Sequence, residues 1–365
     1  MYNIRRDNLG DICYDNYFVK CNIDKMIDNG IQFNVVDLRC DDTMLLHAPL
    51  TITVNVTDIC NLNCGFCFYP CKRLGRVMTR TTINNILKYV NDNYIYELDM
   101  LGGEPFCDQA VASTEYLLAR AAEIECIEKI YVSTNALYPD NIERLNALFD
   151  DKVSLSLSVQ FGQLSTYDRT EVMNSVASCE RLGVDYVLST VIDVAAIHNM
   201  DALMAFVRPL KHCTAVLLHY PNIFYSNKDF LENVPSINLF WEYYTKLRTA
   251  INVPLSYDLP YAYYMSNSKT PSSQFESLFC SCSGEYRKME ILPDGLAVPC
   301  SILADDPACH IGNINDPKFR YEPKLCKQKH TCNNDACKFI GLCKVCHAYV
   351  RDNGDDERCP GYVKG

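Results

Sequence analysis

The stretch Cys60–Pro70 reads CNLNCGFCFYP and places three cysteines within eight residues, directly after the apolar run TITVNVTDI (51–59). A zinc site or a closed iron–sulfur site needs four protein ligands. Three cysteines in one loop therefore take a fourth ligand from elsewhere or leave one metal position open. A zinc site would use Cys71 or Cys107 as its fourth ligand. An open position can bind a substrate or cofactor, so this loop predicts chemistry.

The overall composition indicates a globular chain with a limited choice of partners. It has 365 residues, 48% of them hydrophobic, and a net charge of -11. An acidic chain with a pI near 5.1 does not favour phosphate backbones, so nucleic acid is not an expected partner. The sequence has no apolar signal-peptide core and no run approaching the roughly 18 apolar residues of a membrane span. We therefore expect a cytoplasmic protein with no membrane partner.

The cysteine content is unusual for such a protein. The chain has 21 cysteines, and reducing compartments do not favour disulfide frameworks. The cysteines therefore indicate metal ligands, and ten of them fall between Cys280 and Cys359. A buried thiol is the expected role of a cysteine without partners at metal spacing. The cysteines that we assign to packing are Cys13, Cys21, Cys40, Cys71, Cys107, Cys126, Cys179 and Cys213.

Residues 51 to about 265 alternate between short β-branched runs and helical patterns. The predicted strands are 51–57, 96–101, 129–134, 153–159, 184–191 and 215–221. The predicted helices are 79–93, 109–125, 140–149, 168–183, 199–210 and 238–250. This alternation predicts an α/β fold with a parallel sheet, either doubly wound or curled into a full or partial barrel. Functional sites in such folds gather at the carboxyl ends of the strands, where the three cysteines lie.

A second motif, LGGEP (Leu101–Pro105), directly follows the second predicted strand. Gly102 and Gly103 let the backbone approach a ligand closely, and Glu104 offers a carboxylate to an ammonium group. Taken alone, the motif also fits an ordinary corner between a strand and a helix. The cysteine loop on the neighbouring strand favours the ligand-binding interpretation.

The two motifs together resemble those of radical S-adenosylmethionine (radical SAM) enzymes, which have a C-x3-C-x-aromatic-C loop and GGEP on the neighbouring strand end. Phe66 occupies the aromatic position. The resemblance implies a [4Fe-4S] cluster on Cys60, Cys64 and Cys67, with SAM chelating the fourth iron. It also implies reductive cleavage of SAM to a 5'-deoxyadenosyl radical, which abstracts hydrogen from an inert C–H bond. Among the possible folds we accordingly expect a partial (β/α)6 TIM-like barrel.

The same resemblance assigns contacts to S-adenosylmethionine. The GGEP backbone and the Glu104 carboxylate hold its amino group, and Phe66 lies near its adenine. Polar residues that close later strands contact its ribose and carboxylate. The matching residues are Ser133, Asn135 and Ser158. Each of these three is explained equally well as a turn residue.

The C-terminal region contains a second group of closely spaced cysteines, which again indicates metal ligands. It resembles the SPASM extension of radical SAM enzymes that modify peptides and proteins, in which cysteines bind two auxiliary [4Fe-4S] clusters. The spacing here is C-x4-C-x5-C-x2-C rather than C-x2-C-x5-C-x3-C, which leaves the assignment of individual ligands open. The two expected sets are Cys332, Cys337, Cys343 and Cys359, and Cys280, Cys282, Cys300 and Cys346. Cys309 and Cys326 are spare thiols or alternative ligands, and a zinc ribbon is the competing interpretation.

The aromatic segment YDLPYAYYMSN (257–267) follows the last predicted strand. We expect it to line the open mouth of the barrel. Asp258 or Tyr261 would then serve as an acid–base group or as a peptide contact. An aromatic staple between domains explains the segment equally well.

The motifs predict three units, namely a small N-terminal unit (1–49), a radical SAM barrel (50–270) and a cysteine-rich auxiliary domain (271–365). The resemblance extends to maturases of ribosomally made precursor peptides, in which case the first unit is a truncated leader-recognition element. We expect an enzyme that crosslinks, epimerises or oxidises a peptide or protein and is reduced by a flavodoxin- or ferredoxin-type protein. An anaerobic sulfatase-maturing enzyme, which forms formylglycine, is the first alternative. A non-catalytic iron–sulfur electron carrier is an alternative of another class.

Overall fold

A curved sheet of ten strands forms the centre of the computed structural model. The residues that the structure describes are 2–8, 10–14, 18–21, 26, 29–30, 32–39, 46–67, 69, 74–162, 169–221, 230–258, 284, 287–322, 346 and 348–349. Seven neighbouring strands are parallel, namely β5 (Thr51–Asn55), β6 (Glu97–Leu101), β7 (Lys129–Thr134), β8 (Val153–Ser158), β9 (Tyr186–Val191), β10 (Cys213–His219) and β11 (Leu255–Asp258). The six predicted strands and the α/β partial barrel are thereby confirmed.

Helices connect the parallel strands and cover the outside of the sheet. They are α1 (Arg80–Asp92), α2 (Val111–Ala122), α3 (Pro139–Arg144), α4 (Arg169–Leu182), α5 (Val194–His198), α6 (Met200–Val207) and α7 (Ile237–Ala250). The predicted helix 140–149 continues past α3 only as a 3-10 turn over Asn146–Leu148. An additional helix, α5, begins where the Asp193 carboxylate accepts a hydrogen bond from the Ala196 amide. Within the described ranges, no helix is long and apolar enough to cross a membrane.

Side chains alternate between the two faces of the sheet, as the pleat requires. In β8, Val153, Leu155 and Leu157 are buried in the core against the helices. The intervening residues Ser154 and Ser156 point to the opposite, concave side, which we call the inner face. Burial of apolar side chains on the outer face supplies the main driving force for folding. The inner face is left free to carry polar chemistry.

The C-terminal segment extends the sheet on its other side. β12 (Lys288–Ile291) pairs in parallel with β5, and β13 (Leu296–Val298) and β14 (Gly312–Asn313) add antiparallel partners. The sequence pattern did not reveal these strands or β11. They are only two to four residues long, so their conformation depends on pairing with a neighbour rather than on local periodicity.

A separate four-stranded sheet is formed near the N-terminus by β1 (Tyr2–Asp7), β2 (Gly10–Tyr14), β3 (Phe18–Lys20) and β4 (Phe33–Asp37). Its strands lie in the order β3-β2-β1-β4. Its contacts are with residues that precede the barrel strands, such as Ala48, Pro49 and Tyr96. The sheet therefore lies at the amino ends of the strands, away from the cysteine loop. A role in leader recognition stays a proposal.

Arg5 anchors this small sheet to the barrel. The side chains of Arg5 and Asp7 are fully buried, and their charged atoms lie 2.7 Å apart. Arg5 also donates to the carbonyls of Ala48 and Pro49, and its amide donates to the Tyr96 hydroxyl at 2.8 Å. A buried ion pair is costly to break, because the remaining charge stays in a medium of low polarity without its partner.

Replacing Arg5 with alanine is expected to lower the free energy of unfolding by about 3 to 5 kcal/mol, because Asp7 loses its buried counter-charge. The midpoint of urea unfolding measures this change. Arg39→Ala is the matched control, since Arg39 pairs with Asp37 at the same sequence spacing but on the surface. The control should leave the midpoint nearly unchanged. Equal shifts in the two variants would contradict a special role for the buried pair.

Charged side chains also meet on the inner face near the amino ends of the strands. Thr51 lies beside Glu97 on one side and Lys288 on the other, and the Lys288 ammonium contacts Asp99 at 2.5 Å. Burial raises the pKa of Glu97 to about 7, and the charge of Asp99 adds to this effect. Thr51 and Lys288 oppose the shift without cancelling it. Glu97 therefore holds a proton more tightly in the folded chain than in the unfolded chain.

This shift predicts that stability depends on pH. Because the pKa of Glu97 rises from 4.5 to about 7 on folding, its contribution to stability is complete below 4.5 and is lost as the pH rises through 7. Glu97→Gln should flatten the dependence of the unfolding free energy over this window. Glu242→Gln, at an exposed position, is the control. If both variants keep the pH profile of the parent protein, the predicted rise in the pKa of Glu97 is wrong.

Candidate functional site

The cysteine loop (58–67) begins immediately after β5, at the carboxyl edge of the sheet. Buried Asp58 holds its base, because its carboxylate accepts from the Arg76 amide at 2.6 Å and from Arg76 Nε at 2.7 Å. The Thr57 hydroxyl donates to the Arg76 carbonyl at 2.8 Å. Arg76 also contacts Asp294, in the turn between β12 and β13. The start of the loop is therefore fixed to the rest of the sheet.

The three predicted cluster ligands follow this fixed base. Cys60, Cys64 and Cys67 are each partly exposed. The Cys67 amide donates to the Cys64 carbonyl at 3.1 Å, so the second and third cysteines share one tight turn. Phe66, the aromatic residue of the motif, lies in the same turn and is partly buried. The loop thus presents all three thiols from one short segment.

The glycines of the second motif bind the loop through backbone hydrogen bonds. The Gly103 amide donates to the Thr57 carbonyl at 2.7 Å, and the Glu104 amide donates to the Ile59 carbonyl at 2.7 Å. A Cβ atom on Gly103 would lie 1.9 Å from the Ile59 oxygen. Gly102 has a φ of +123°, which other residues rarely adopt. Both glycines are therefore needed for the close approach of the two strand ends.

Glu104 connects the ends of β6 and β7. Its side chain is 1% exposed. One carboxylate oxygen accepts from the Thr134 hydroxyl at 2.7 Å and from the Phe106 amide at 3.0 Å, and the other accepts from the Asn135 amide at 2.7 Å. Burial raises the pKa of Glu104 to about 7, although these hydrogen bonds oppose the shift. The predicted contact between Glu104 and the amino group of S-adenosylmethionine stays a prediction.

Asn135 reaches from β7 to the cysteine loop. Its side-chain amide donates to the Asn61 side chain at 2.8 Å and lies 3.9 Å from the Cys60 sulfur. The sequence reasoning singled out Asn135 but missed Asn61 and Thr134. The signal for Thr134 was its place between Ser133 and Asn135 at the end of a predicted strand. Its side chain points toward Glu104 because strand residues alternate in direction.

The other predicted contacts fall on the same edge of the sheet. Ser133 and Ser158 lie on the inner face, each close to the carboxyl end of its strand. The Pro105 carbonyl accepts from the Thr114 hydroxyl at 2.6 Å, which fixes the end of the GGEP turn. The contacts of Ser133 and Ser158 with S-adenosylmethionine stay predictions.

The two predicted catalytic residues have different outcomes. Asp258 ends β11, and its carboxylate lies 3.6 Å from the ring of His219. His219 was not singled out from the sequence, because a lone histidine at the end of a strand carries no motif. Tyr261 lies outside the described residues.

The described residues include two of the predicted auxiliary ligands. Cys300 is partly exposed and follows β13, and Cys346 packs against the small apolar cluster of Leu303, Cys309 and Ala348. Buried Glu290 of β12 accepts from the amide of Ser301, the residue after Cys300, at 2.8 Å. The other predicted auxiliary ligands lie outside the described residues, and they are Cys280, Cys282, Cys332, Cys337, Cys343 and Cys359.

The donor set of the cysteine loop, three cysteine thiols on one short segment, suits an iron–sulfur cluster. A four-iron cube binds each thiolate to a different iron, so its ligands need not converge on one point. Thiolates are also the soft donors that such clusters prefer. Cys60, Cys64 and Cys67 therefore fit as ligands of a cluster.

Comparison of the sequence with protein families agrees with this chemistry. Residues 54–206 match the family model described as the radical SAM superfamily. The chain therefore contains a radical SAM domain, as the two motifs predict. A stretch of 109 residues is 29% identical to the GTP 3',8-cyclase of Aquifex aeolicus (strain VF5), which covers 28% of this chain and 32% of that protein. The match thus spans about a third of the length of that relative.

Solved structures share the fold over much greater lengths. Streptococcus suis SuiB bound to precursor peptide SuiA has a TM-score of 0.78 at 17% identity and matches 100% of this chain and 99% of its own. SuiB bound to S-adenosylmethionine has a TM-score of 0.74 at 16% identity, over 100% of this chain and 97% of its own. Native anSMEcpe with bound AdoMet has a TM-score of 0.54 at 16% identity, over 81% of this chain and 88% of its own. At these identities the similarity shows the fold.

The close approach at Gly103 predicts the effect of a single methyl group. Gly103→Ala should separate the cysteine loop from the end of β6, because the new Cβ would clash with the Ile59 carbonyl. We expect weaker binding of S-adenosylmethionine to the reconstituted protein, measured by equilibrium dialysis. Gly65→Ala, within the cysteine loop itself, is the control, since its Cβ would meet only the Phe230 side chain. Equal affinities for the Gly103 variant and the parent protein would contradict this role.

Proposed function

We propose that this protein is a radical SAM enzyme that abstracts hydrogen from a peptide or protein substrate. The observation that carries the proposal is the joining of two motifs at one edge of the sheet. The Gly103 and Glu104 amides bond to the carbonyls of Thr57 and Ile59, which places GGEP directly against the cysteine loop. Neither motif alone distinguishes an enzyme from a metal scaffold. Together they would hold an iron–sulfur cluster and provide a place for its cofactor.

The roles of the residues follow from their positions. Cys60, Cys64 and Cys67 would hold the [4Fe-4S] cluster, and the backbone of Gly102 and Gly103 would hold the amino group of S-adenosylmethionine. When bound and reduced, this pair of groups supplies a 5'-deoxyadenosyl radical for hydrogen abstraction. The chain contributes orientation and exclusion of water. Asn135, which lies 3.9 Å from the Cys60 sulfur, is placed to orient the loop.

A peptide substrate is supported by the solved structures that share this fold. SuiB was crystallised with its precursor peptide SuiA, and anSMEcpe with the Cp18Cys and Kp18Cys peptides. A peptide would enter at the carboxyl edge of the sheet, where the inner face is polar. We propose maturation of a ribosomally made precursor peptide, by crosslinking, epimerisation or oxidation.

Two auxiliary [4Fe-4S] clusters are part of the proposal. Cys300, a proposed ligand, follows β13, and β13 pairs with β12 beside β5. Glu290 accepts from the Ser301 amide and from the Asn55 side chain, so it joins the neighbour of Cys300 to the inner face of the barrel. A cluster held there would be well placed to exchange electrons with a substrate in the barrel. A flavodoxin- or ferredoxin-type protein would supply the first electron.

A formylglycine-forming activity is the second candidate, and the shared fold with anSMEcpe bound to AdoMet and a peptide favours it. It differs from the leading proposal in its substrate, which would be a serine or cysteine in a sulfatase. A non-catalytic electron carrier would need the cysteines but not the GGEP contact with the cysteine loop.

Anaerobic reconstitution tests the cofactor content. We expect about 12 irons per chain, from three four-iron clusters, and formation of 5'-deoxyadenosine when dithionite and S-adenosylmethionine are added. Cys64→Ala should lose the cluster that binds S-adenosylmethionine and abolish 5'-deoxyadenosine. Cys107→Ala is the control, since Cys107 is buried near the site and is assigned to packing. Zinc without labile sulfide, or cleavage by the Cys64 variant, would contradict the proposal.

A search for short open reading frames beside the gene for this protein provides the candidate peptides that test the substrate class. The reconstituted enzyme should change the mass of such a peptide in a reaction that needs S-adenosylmethionine and reductant. Conversion of a serine or cysteine in a sulfatase peptide to an aldehyde would favour the second candidate instead. Cleavage of S-adenosylmethionine with no change in either type of peptide would contradict a peptide-modifying function.

A further inference from the structure

Three polar side chains lie close together at the carboxyl edge of the sheet, away from the cysteine loop. Nε2 of His219 lies 2.8 Å from Oγ of Ser189, and Nδ1 of His219 lies 3.6 Å from Oδ2 of Asp258. The residues come from the adjacent strands β9, β10 and β11. We call them the Ser–His–Asp group. Neither the cluster nor the S-adenosylmethionine contacts proposed above use them.

The pairing of the strands places this group on the inner face. Leu188 and Leu218, the neighbours of Ser189 and His219 in sequence, are fully buried in the core against the helices. Ser189 and His219 therefore point to the opposite side. Ser189 pairs directly with Ser158 of β8, which is a predicted contact of S-adenosylmethionine. Adjacent strands lie only about 4.8 Å apart, so the group borders the proposed cofactor site.

The group is open to a substrate. The side chain of His219 is 33% exposed and that of Asp258 is 68% exposed. Partial desolvation raises the pKa of Asp258, but His219 and the charge of Lys288 outweigh it and lower the pKa below its usual value. Asp258 is therefore ionised at neutral pH. A carboxylate can only accept, so a proton on Nδ1 of His219 would face Asp258 and leave Nε2 to accept from the Ser189 hydroxyl.

A second histidine–aspartate pair in the chain shows what distinguishes this group. Nδ1 of His212 lies 3.0 Å from Asp185. His212 precedes β10, so this pair lies at the amino end of the strand, at the opposite edge of the sheet. The His212 ring thus contacts the Asp185 carboxylate, and the His212 amide donates to Glu180 at 3.0 Å. The His212 pair therefore provides an internal control for exposure and for the histidine–aspartate contact.

We infer that the Ser–His–Asp group is the proton acceptor for the peptide substrate. A heteroatom–hydrogen bond of the substrate breaks, and its proton passes to the Ser189 oxygen as the Ser189 proton passes to Nε2 of His219. Asp258 stays ionised and stabilises the imidazolium that forms. No electron is transferred in this step, and the substrate heteroatom keeps its electron pair. This inference rests on the proposed function and specifies its chemistry further.

The inference selects a class of substrate residue. A peptide side chain that loses a proton from sulfur, oxygen or nitrogen needs such an acceptor, as in formation of a thioether, an ether or an aldehyde. An epimerisation needs a residue that donates a hydrogen atom to the opposite face of the substrate α-carbon. The Ser–His–Asp group is a proton acceptor and does not have this role. The inner face therefore fits a serine, cysteine, threonine or tyrosine as the residue that is modified.

The experiment uses the reconstituted enzyme and synthetic peptides that each carry one serine, cysteine, threonine or tyrosine. The amount of modified peptide is measured per 5'-deoxyadenosine formed. General base catalysis is worth about 100-fold or more, so His219→Gln should lower this ratio by about that factor, and Asp258→Asn and Ser189→Ala should lower it in the same direction. His212→Gln is the control and should keep the ratio of the parent enzyme.

A second measurement does not depend on turnover. Diethyl pyrocarbonate carbethoxylates neutral imidazole, and peptide mapping reports each histidine of the reconstituted parent enzyme. The synthetic peptides should protect His219 but not His212. A ratio unchanged in His219→Gln, or equal modification of His219 with and without peptide, would overturn the inference and leave the proposed function standing. A peptide that the parent enzyme binds without modifying it would overturn both.

Discussion

The contact between the end of β5 and the glycines of GGEP is the constraint on which the proposed site depends. Two backbone hydrogen bonds of 2.7 Å join Gly103 and Glu104 to the carbonyls of Thr57 and Ile59. They form only because neither glycine has a Cβ. The cysteine loop leaves from the same short segment, so the position of its thiols relative to GGEP is set by parallel pairing of β5 and β6. A displacement of either strand would separate the proposed cluster from its cofactor.

The two ends of the barrel serve different purposes. The N-terminal sheet packs against residues at the amino ends, where the buried pair of Arg5 and Asp7 holds it. The carboxyl ends carry the cysteine loop, GGEP, Asn135 and the Ser–His–Asp group. Apolar side chains fill the outer face against the helices, so stability and chemistry use opposite sides of the same strands. Polar residues on the inner face therefore do not disrupt the core.

The sequence predicted the elements whose signal is local. Six strands and the alternating helices were visible from hydrophobic periodicity, and the cysteine and GGEP motifs from their spacing. The short strands β11 to β14 were missed, because so few residues show no periodicity and fold only against a partner. Glu104 illustrates a partial success: its motif was recognised, but its hydrogen bonds to Thr134 and Asn135 depend on where β7 lies.

Residue type and spacing alone therefore determined that this chain carries three clustered thiols after one strand and a paired glycine turn after the next. Only the tertiary structure brought Ser189, His219 and Asp258 together. These residues belong to three different strands, and no motif connects them along the chain. Parallel pairing in register carries each of them to one edge of the sheet, because every crossover helix returns the chain to the same starting side.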